Sequence, residues 1–185
     1  MTGLVGQARI DAGRRLAATH AELLEAIEAA YGVDRHILVA IWGVESAYGA
    51  EMGSRNVIRS LATLAMADTR RAPFWTRELI AALRMLQDGA VQPEKFVGSW
   101  AGAVGHTQFI PSTYNARAVD FDKDGRRDIW ETVADALASS ANYLRASGWV
   151  AGSPGASRSP CRRASTLPGR RRDAPGRLPS GRLQG

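Results

Sequence analysis

An all-α domain over residues 1–151, followed by a disordered tail over 152–185, is the architecture the sequence predicts. Three observations carry it. Apolar residues recur at helical spacing in five segments, no segment alternates apolar and polar residues as a half-buried strand would, and composition changes abruptly after Val150.

The segments follow in chain order. Residues 7–30 place Ile10, Leu16, Leu23, Leu24 and Ile27 among alanines and charges, and Tyr31-Gly32 ends the pattern. Asp34 is a suitable N-cap for the next helix, which Gly49 is expected to end. A third helix covers about 57–67, with Val57, Leu61, Leu64 and Ala65. A fourth covers about 74–88, with Phe74, Leu79, Leu83 and Leu86 on one stripe. A fifth covers about 132–147, with Val133, Leu137, Ala141 and Leu144, closed by Gly148. Residues 89–131 form a long loop region with glycines, two prolines and clustered acids, and structured loops of that length usually carry function.

Composition narrows the function. The chain has 185 residues, of which 45% are apolar, enough for a packed core. No apolar run approaches the roughly 20 residues that span a bilayer, and the first residues lack the uninterrupted apolar stretch of a secretory signal. Cys161 is the single cysteine, which excludes an intramolecular disulfide and disfavours thiolate metal sites. The net charge of +6 is unevenly placed: residues 152–185 hold eight Arg and one Asp, so the first 151 residues are close to neutral. The basic character therefore belongs to the tail, and a nucleic-acid partner is not expected for the folded domain. In the tail, 24 of 34 residues are Gly, Pro, Ser or Arg, and no apolar period could offset the entropy of ordering them.

One glutamate stands out. The run 37–44 is apolar on every face, which predicts a helix buried on all sides. Glu45 follows it on the face of Ile41 and Ile37. A carboxyl sequestered there would favour its protonated form, the state a general acid needs to protonate a glycosidic oxygen. The competing reading, and the commoner one for a charged residue, is a helix-end glutamate in water.

A second motif lies at 120–131. Asp120, Asp122, Asp124, Asp128 and Glu131 occupy positions 1, 3, 5, 9 and 12 of an EF-hand-like loop, with Gly125 at the turn and the carbonyl of Arg126 completing the set. Hard oxygen donors without His or Cys indicate Ca2+. Arg127 departs from the usual aliphatic residue at position 8, and an acidic surface loop is the alternative. His20, His36 and His106 share no ligand or triad spacing, and His106 reads as a loop residue in solvent. Trp42, Trp100 and Trp130 could stack on sugars, although packing in the core suits all three better.

The strings AIWGVES with the following YG, DTRRAPF, GSWAGAVGHTQFIPSTY and VDFDKDGRRDIW, in this order and spacing from about Arg14 to Trp149, resemble the MltB-type lytic murein transglycosylases. The resemblance implies a lysozyme-like helical fold and cleavage of the β-1,4 bond between N-acetylmuramic acid and N-acetylglucosamine, leaving a 1,6-anhydromuramoyl end. It implies Glu45 as the single catalytic acid and base, with peptidoglycan strands as partner. It further implies Ser99, Gln108 and Tyr143 as substrate contacts, and Arg70 and Arg71 as a basic pair facing peptide or saccharide. It also implies one structural calcium site whose last acidic ligand falls near Asp135, so Glu131 and Asp135 compete for that role. A monomer in the periplasm or cell envelope is expected on the same ground. Family members continue with a stretch that closes the groove, so low activity is the expectation for the chain as written. The rival functions are a hydrolase that lets water attack, a saccharide-binding module that does not cut, and a calcium-binding protein.

Overall fold

The computed structural model describes residues 6–152; residues 1–5 and 153–185, which include the expected disordered tail beyond Gly152, lie outside the described residues. Seven helices carry the described chain: α1 Gln7–Thr19, α2 Ala21–Tyr31, α3 Arg35–Ser46, α4 Val57–Ala67, α5 Ala72–Gln87, α6 Pro111–Arg117 and α7 Val133–Ala146. The pattern expected as one helix over 7–30 is two. It breaks at His20, whose backbone (φ −106°, ψ 25°) leaves the helical region without help from glycine or proline. Asp34 caps α3 as expected, its carboxylate accepting from the His36 amide at 2.7 Å. Asn56 caps α4 in the same way through the Arg59 amide at 2.9 Å.

The loop region is more ordered than its sequence suggests. Residues β1 Arg55–Asn56 and β2 Val97–Gly98 pair as a two-residue antiparallel ribbon. Helix α6 begins at Pro111, where a missing N–H costs nothing. Its N-terminus is held by Glu78 of α5, a buried carboxylate that accepts from the amide and the hydroxyl of Ser112 at 2.9 and 2.8 Å.

Two cores form. Helices α4, α5 and α6 and the loop region enclose Leu61, Met85, Phe96, Tyr114 and Ile129. Helices α2, α3 and α7 enclose Leu24, Ile27, Leu38, Trp42 and Leu137. Helix α7 serves both, with Ala136 in the first core and Leu137 in the second. Every residue from 135 to 141 is buried, because alanines and serines let neighbours approach from all sides. The segment buried all round is thus 135–141 of α7, not the 37–44 run of α3. In α3, Leu38, Val39, Trp42, Gly43 and Ser46 face the core, while Val44 is half exposed.

Candidate active site

Helix α3 ends in a strained turn. Ala47 (φ 49°) and Tyr48 (φ 62°) are consecutive non-glycine residues in left-handed conformation, so the helix stops at Ser46 rather than at Gly49. Tyr48 secures the turn by inserting beside Gly13 and Gly43 and donating its hydroxyl to the Arg9 carbonyl at 2.8 Å. Strain of this kind persists only where surrounding structure over-determines it, and it gathers at functional sites.

Glu45 stands on the open side of that last turn. It is exposed, which corrects the expectation of a sequestered carboxyl: Trp42, Gly43 and Ser46 occupy the buried side of the turn and leave Glu45 facing out. It lines a cleft of about 340 Å³ together with Ile41, the strip 107–110, Thr113 of α6, and Ser140, Tyr143 and Leu144 of α7. Among the described residues, Glu45 is the only carboxyl in that lining.

The opposite wall is built by a small loop. Val104 and Phe109 exchange backbone hydrogen bonds at 2.8 and 3.0 Å, closing residues 104–109 into a tight turn. Gln108 sits in that turn with φ 51°, and its Nε2 donates to the carbonyls of Gly105 at 3.0 Å and Met52 at 3.2 Å. Both partners are acceptors, so the amide oxygen is left for a ligand. Tyr143 is 42% exposed, with its ring centroid 5.8 Å from that of Phe109. Thr107 Oγ1 and Ser140 Oγ, in the same lining, are buried without a protein partner.

The structure therefore brings Glu45, Gln108 and Tyr143 together and leaves other expected residues outside. Ser99 holds its own turn, its Oγ accepting from the amides of Ala101 at 3.3 Å and Ala103 at 3.0 Å. Arg70 and Arg71 lie exposed in the turn between α4 and α5, where the Arg71 guanidinium stacks 4.8 Å above both Phe74 and Trp75. Trp42 and Trp130 pack as expected, whereas Trp100 is 70% exposed on the Ser99 turn, which corrects its assignment to the core.

His106 is the residue sequence reasoning missed. Far from being in solvent, it is buried, and its Nδ1 accepts from Trp42 Nε1 at 3.0 Å, which leaves Nε2 to carry the proton. Burial pushes the imidazole below its ordinary value of 6.5, against the raising influence of Asp128 and the Trp130 backbone. The signal in the sequence was glycine. A Cβ on Gly49, itself at φ +90°, would lie 2.2 Å from His106 Cε1, so the ring needs a residue without a side chain beside it.

The acidic loop gathers part of its expected set. Carboxylate oxygens of Asp120, Asp122 and Asp135 lie within 4.8 Å of one another. Asp135 is fully buried, accepts from the amides of Phe121 at 2.7 Å and Asp128 at 2.8 Å, and is pushed above the usual carboxylate range chiefly by that burial. Asp124 instead accepts from the Arg126 amide, and Glu131 pairs with Lys95 Nζ at 2.8 Å on the surface. Of the two competing residues, Asp135 is the one in the cluster.

The described residues form a helical domain with an open cleft, one carboxyl in the lining of that cleft, and a separate acidic cluster. The chain belongs to the family described as the Transglycosylase SLT domain, which matches residues 1–172. Over 122 residues it is 45% identical to membrane-bound lytic murein transglycosylase B of Escherichia coli K12, covering 66% of this chain and 34% of that protein. The crystal structure of SltB3 from Pseudomonas aeruginosa in complex with NAG-anhNAM-pentapeptide superposes with a TM-score of 0.79 at 55% identity, over 83% of this chain and 40% of that one. The Escherichia coli lytic transglycosylase Slt35 in complex with calcium superposes with a TM-score of 0.76 at 38% identity, over 80% and 47%. The chain thus spans about a third of the curated relative and less than half of these solved chains.

Proposed function

We propose that this chain carries the cleavage centre of a lytic murein transglycosylase, acting on the β-1,4 bond between N-acetylmuramic acid and N-acetylglucosamine, with Glu45 as its single acid and base. The observation that supports this best is that Glu45 is the lone carboxyl in the cleft among the described residues. A conventional glycosidase needs a second carboxylate, as nucleophile or to activate water. One carboxyl among the described residues of the cleft fits a reaction in which the substrate supplies the nucleophile. Glu45 gives its proton to the bridging oxygen as the bond to the muramoyl C1 breaks. The resulting carboxylate then takes the proton of the muramoyl C6 hydroxyl as that oxygen bonds to C1, giving the 1,6-anhydro product and regenerating the acid.

Because Glu45 is open to water in the free chain, the glycan itself must dry the site on docking against Ile41, Phe109 and Leu144. Gln108 would offer its amide oxygen to an N–H or O–H of the sugar, and Tyr143 an exposed ring face. Ser99 keeps its hydroxyl proton to donate. Arg70 and Arg71, outside the cleft, suit the carboxylates of stem peptides.

The acidic cluster fits calcium: its donors are hard oxygens, and among the described residues no basic side chain pairs with the buried Asp135. Asp120, Asp122 and Asp135 would hold the ion, which would neutralise their repulsion and brace residues 120–135. By similarity to the named relatives, the cell envelope is the proposed place of action. Digestion of purified sacculi, followed by mass analysis of the fragments, tests the reading. Anhydro fragments support it, and fragments one water heavier assign hydrolysis instead.

A further inference from the structure

The Glu45 side chain has no hydrogen-bond partner among the described residues, so its place relative to the substrate contacts is set by its backbone in α3. Two side chains of the end of α3 tie that backbone to His106. Ser46, directly after Glu45, donates its Oγ to the His106 carbonyl at 2.6 Å and accepts the Gly49 amide at 2.9 Å. Trp42, one turn earlier in α3, donates to the His106 ring at 3.0 Å. His106 is in turn anchored to the core by its own amide, which donates to the Ile129 carbonyl at 2.9 Å. Gln108 lies two residues further along the same tight loop.

We infer that His106 is a positioning residue for the proposed cleavage: through its carbonyl and its Nδ1 it fixes the separation between Glu45 and the Gln108 amide. The inference rests on the reading of Glu45 as the acid. Two attachments at 2.6 and 3.0 Å clamp the last turn of α3 to the loop that carries Gln108. They explain how the left-handed pair Ala47 and Tyr48 is tolerated immediately beyond. The ring must be neutral to accept from Trp42. Asp128 is the charged group whose field reaches it, while His20 and Tyr48 pack edge-on against the indole.

Two variants separate the hydrogen bond from the bulk of the ring. His106→Phe keeps an aromatic ring but cannot accept from Trp42, whereas the side-chain oxygen of His106→Gln can. In sacculus digestion, His106→Phe is expected to lose kcat by about tenfold or more with KM little changed, since small misplacements of reacting groups cost rate rather than binding. His106→Gln is expected to restore most of it and to flatten the acid side of the pH profile. Equal losses in both variants, or unchanged kcat in His106→Phe, overturn the inference. Two readouts do not depend on cleavage. Imidazole 15N shifts at neutral pH should report a neutral ring protonated on Nε2, and exchange of the Gly49 amide should quicken in His106→Phe but not in His106→Gln. A ring protonated on Nδ1, or unaltered Gly49 exchange, overturns the positioning role. A wild-type chain that cuts nothing while passing both readouts sinks the cleavage reading alone.

Discussion

Glu78 accepts two hydrogen bonds from Ser112, one from the amide and one from the hydroxyl, across the junction of α5 and α6. The carboxylate is only 2% exposed and meets the N-terminus of α6, where unpaired amides and the helix dipole favour negative charge. Thr113, the next residue, lines the cleft. Glu78→Ala should therefore destabilise the domain by about 2 kcal/mol, because it leaves two partly buried donors of Ser112 unpaired. Ser112→Ala should cost about 1 kcal/mol. Urea unfolding of the two variants checks the order, and equal small losses would contradict it.

Calcium should stabilise the domain. An ion that binds the folded state at a hundred times its dissociation constant adds about 2.7 kcal/mol, which should raise Tm by several degrees. Asp122→Ala should abolish that rise. Glu131→Gln should leave it intact, since Glu131 pairs with Lys95 rather than joining the cluster. Calorimetric scans with added calcium and with chelator decide this, and a response lost in Glu131→Gln would reinstate the twelve-residue loop.

Ser140→Ala should raise stability by about 1 kcal/mol, since it removes a buried hydroxyl with no protein partner. Thr107→Val should act in the same direction. Denaturant midpoints measure both, and a clear loss of stability in either would show that these hydroxyls are bonded in solution.

Stability should fall in mild acid through His106. Its imidazole is held below 6.5 in the folded state, so between the lowered and the ordinary value the unfolded chain binds the extra proton. The folded state is then fully favoured above that window and loses ground as pH drops through it. Tm against pH for the wild type and His106→Gln checks the sign: the variant should lack this part of the decline.

Much of the helical frame was legible because apolar spacing survives without knowledge of the partners. Asp34 caps as a short polar residue before an apolar run does. Helix α6 was not legible: it spans seven residues, begins at a proline, and is fixed by Glu78 from another helix. The face of α3 was misread because apolar Val44 and Ile41 declare no partner. Ile41 borders the cleft that α7 completes some hundred residues later, while Val44 lines a separate hollow against α1. His106 was misread for a related reason, since only tertiary closure puts Gly49 against its ring. The motif residues Glu45, Gln108 and Tyr143 do converge, whereas the pair Arg70 and Arg71 stays apart, because its turn between α4 and α5 projects outward.

The most direct test of the central claim is the mass of the fragments that the wild type and Glu45→Gln release from purified sacculi. 1,6-Anhydromuramoyl fragments are expected from the wild type and none from Glu45→Gln. Fragments carrying an added water, or anhydro fragments that persist in Glu45→Gln, would contradict the claim.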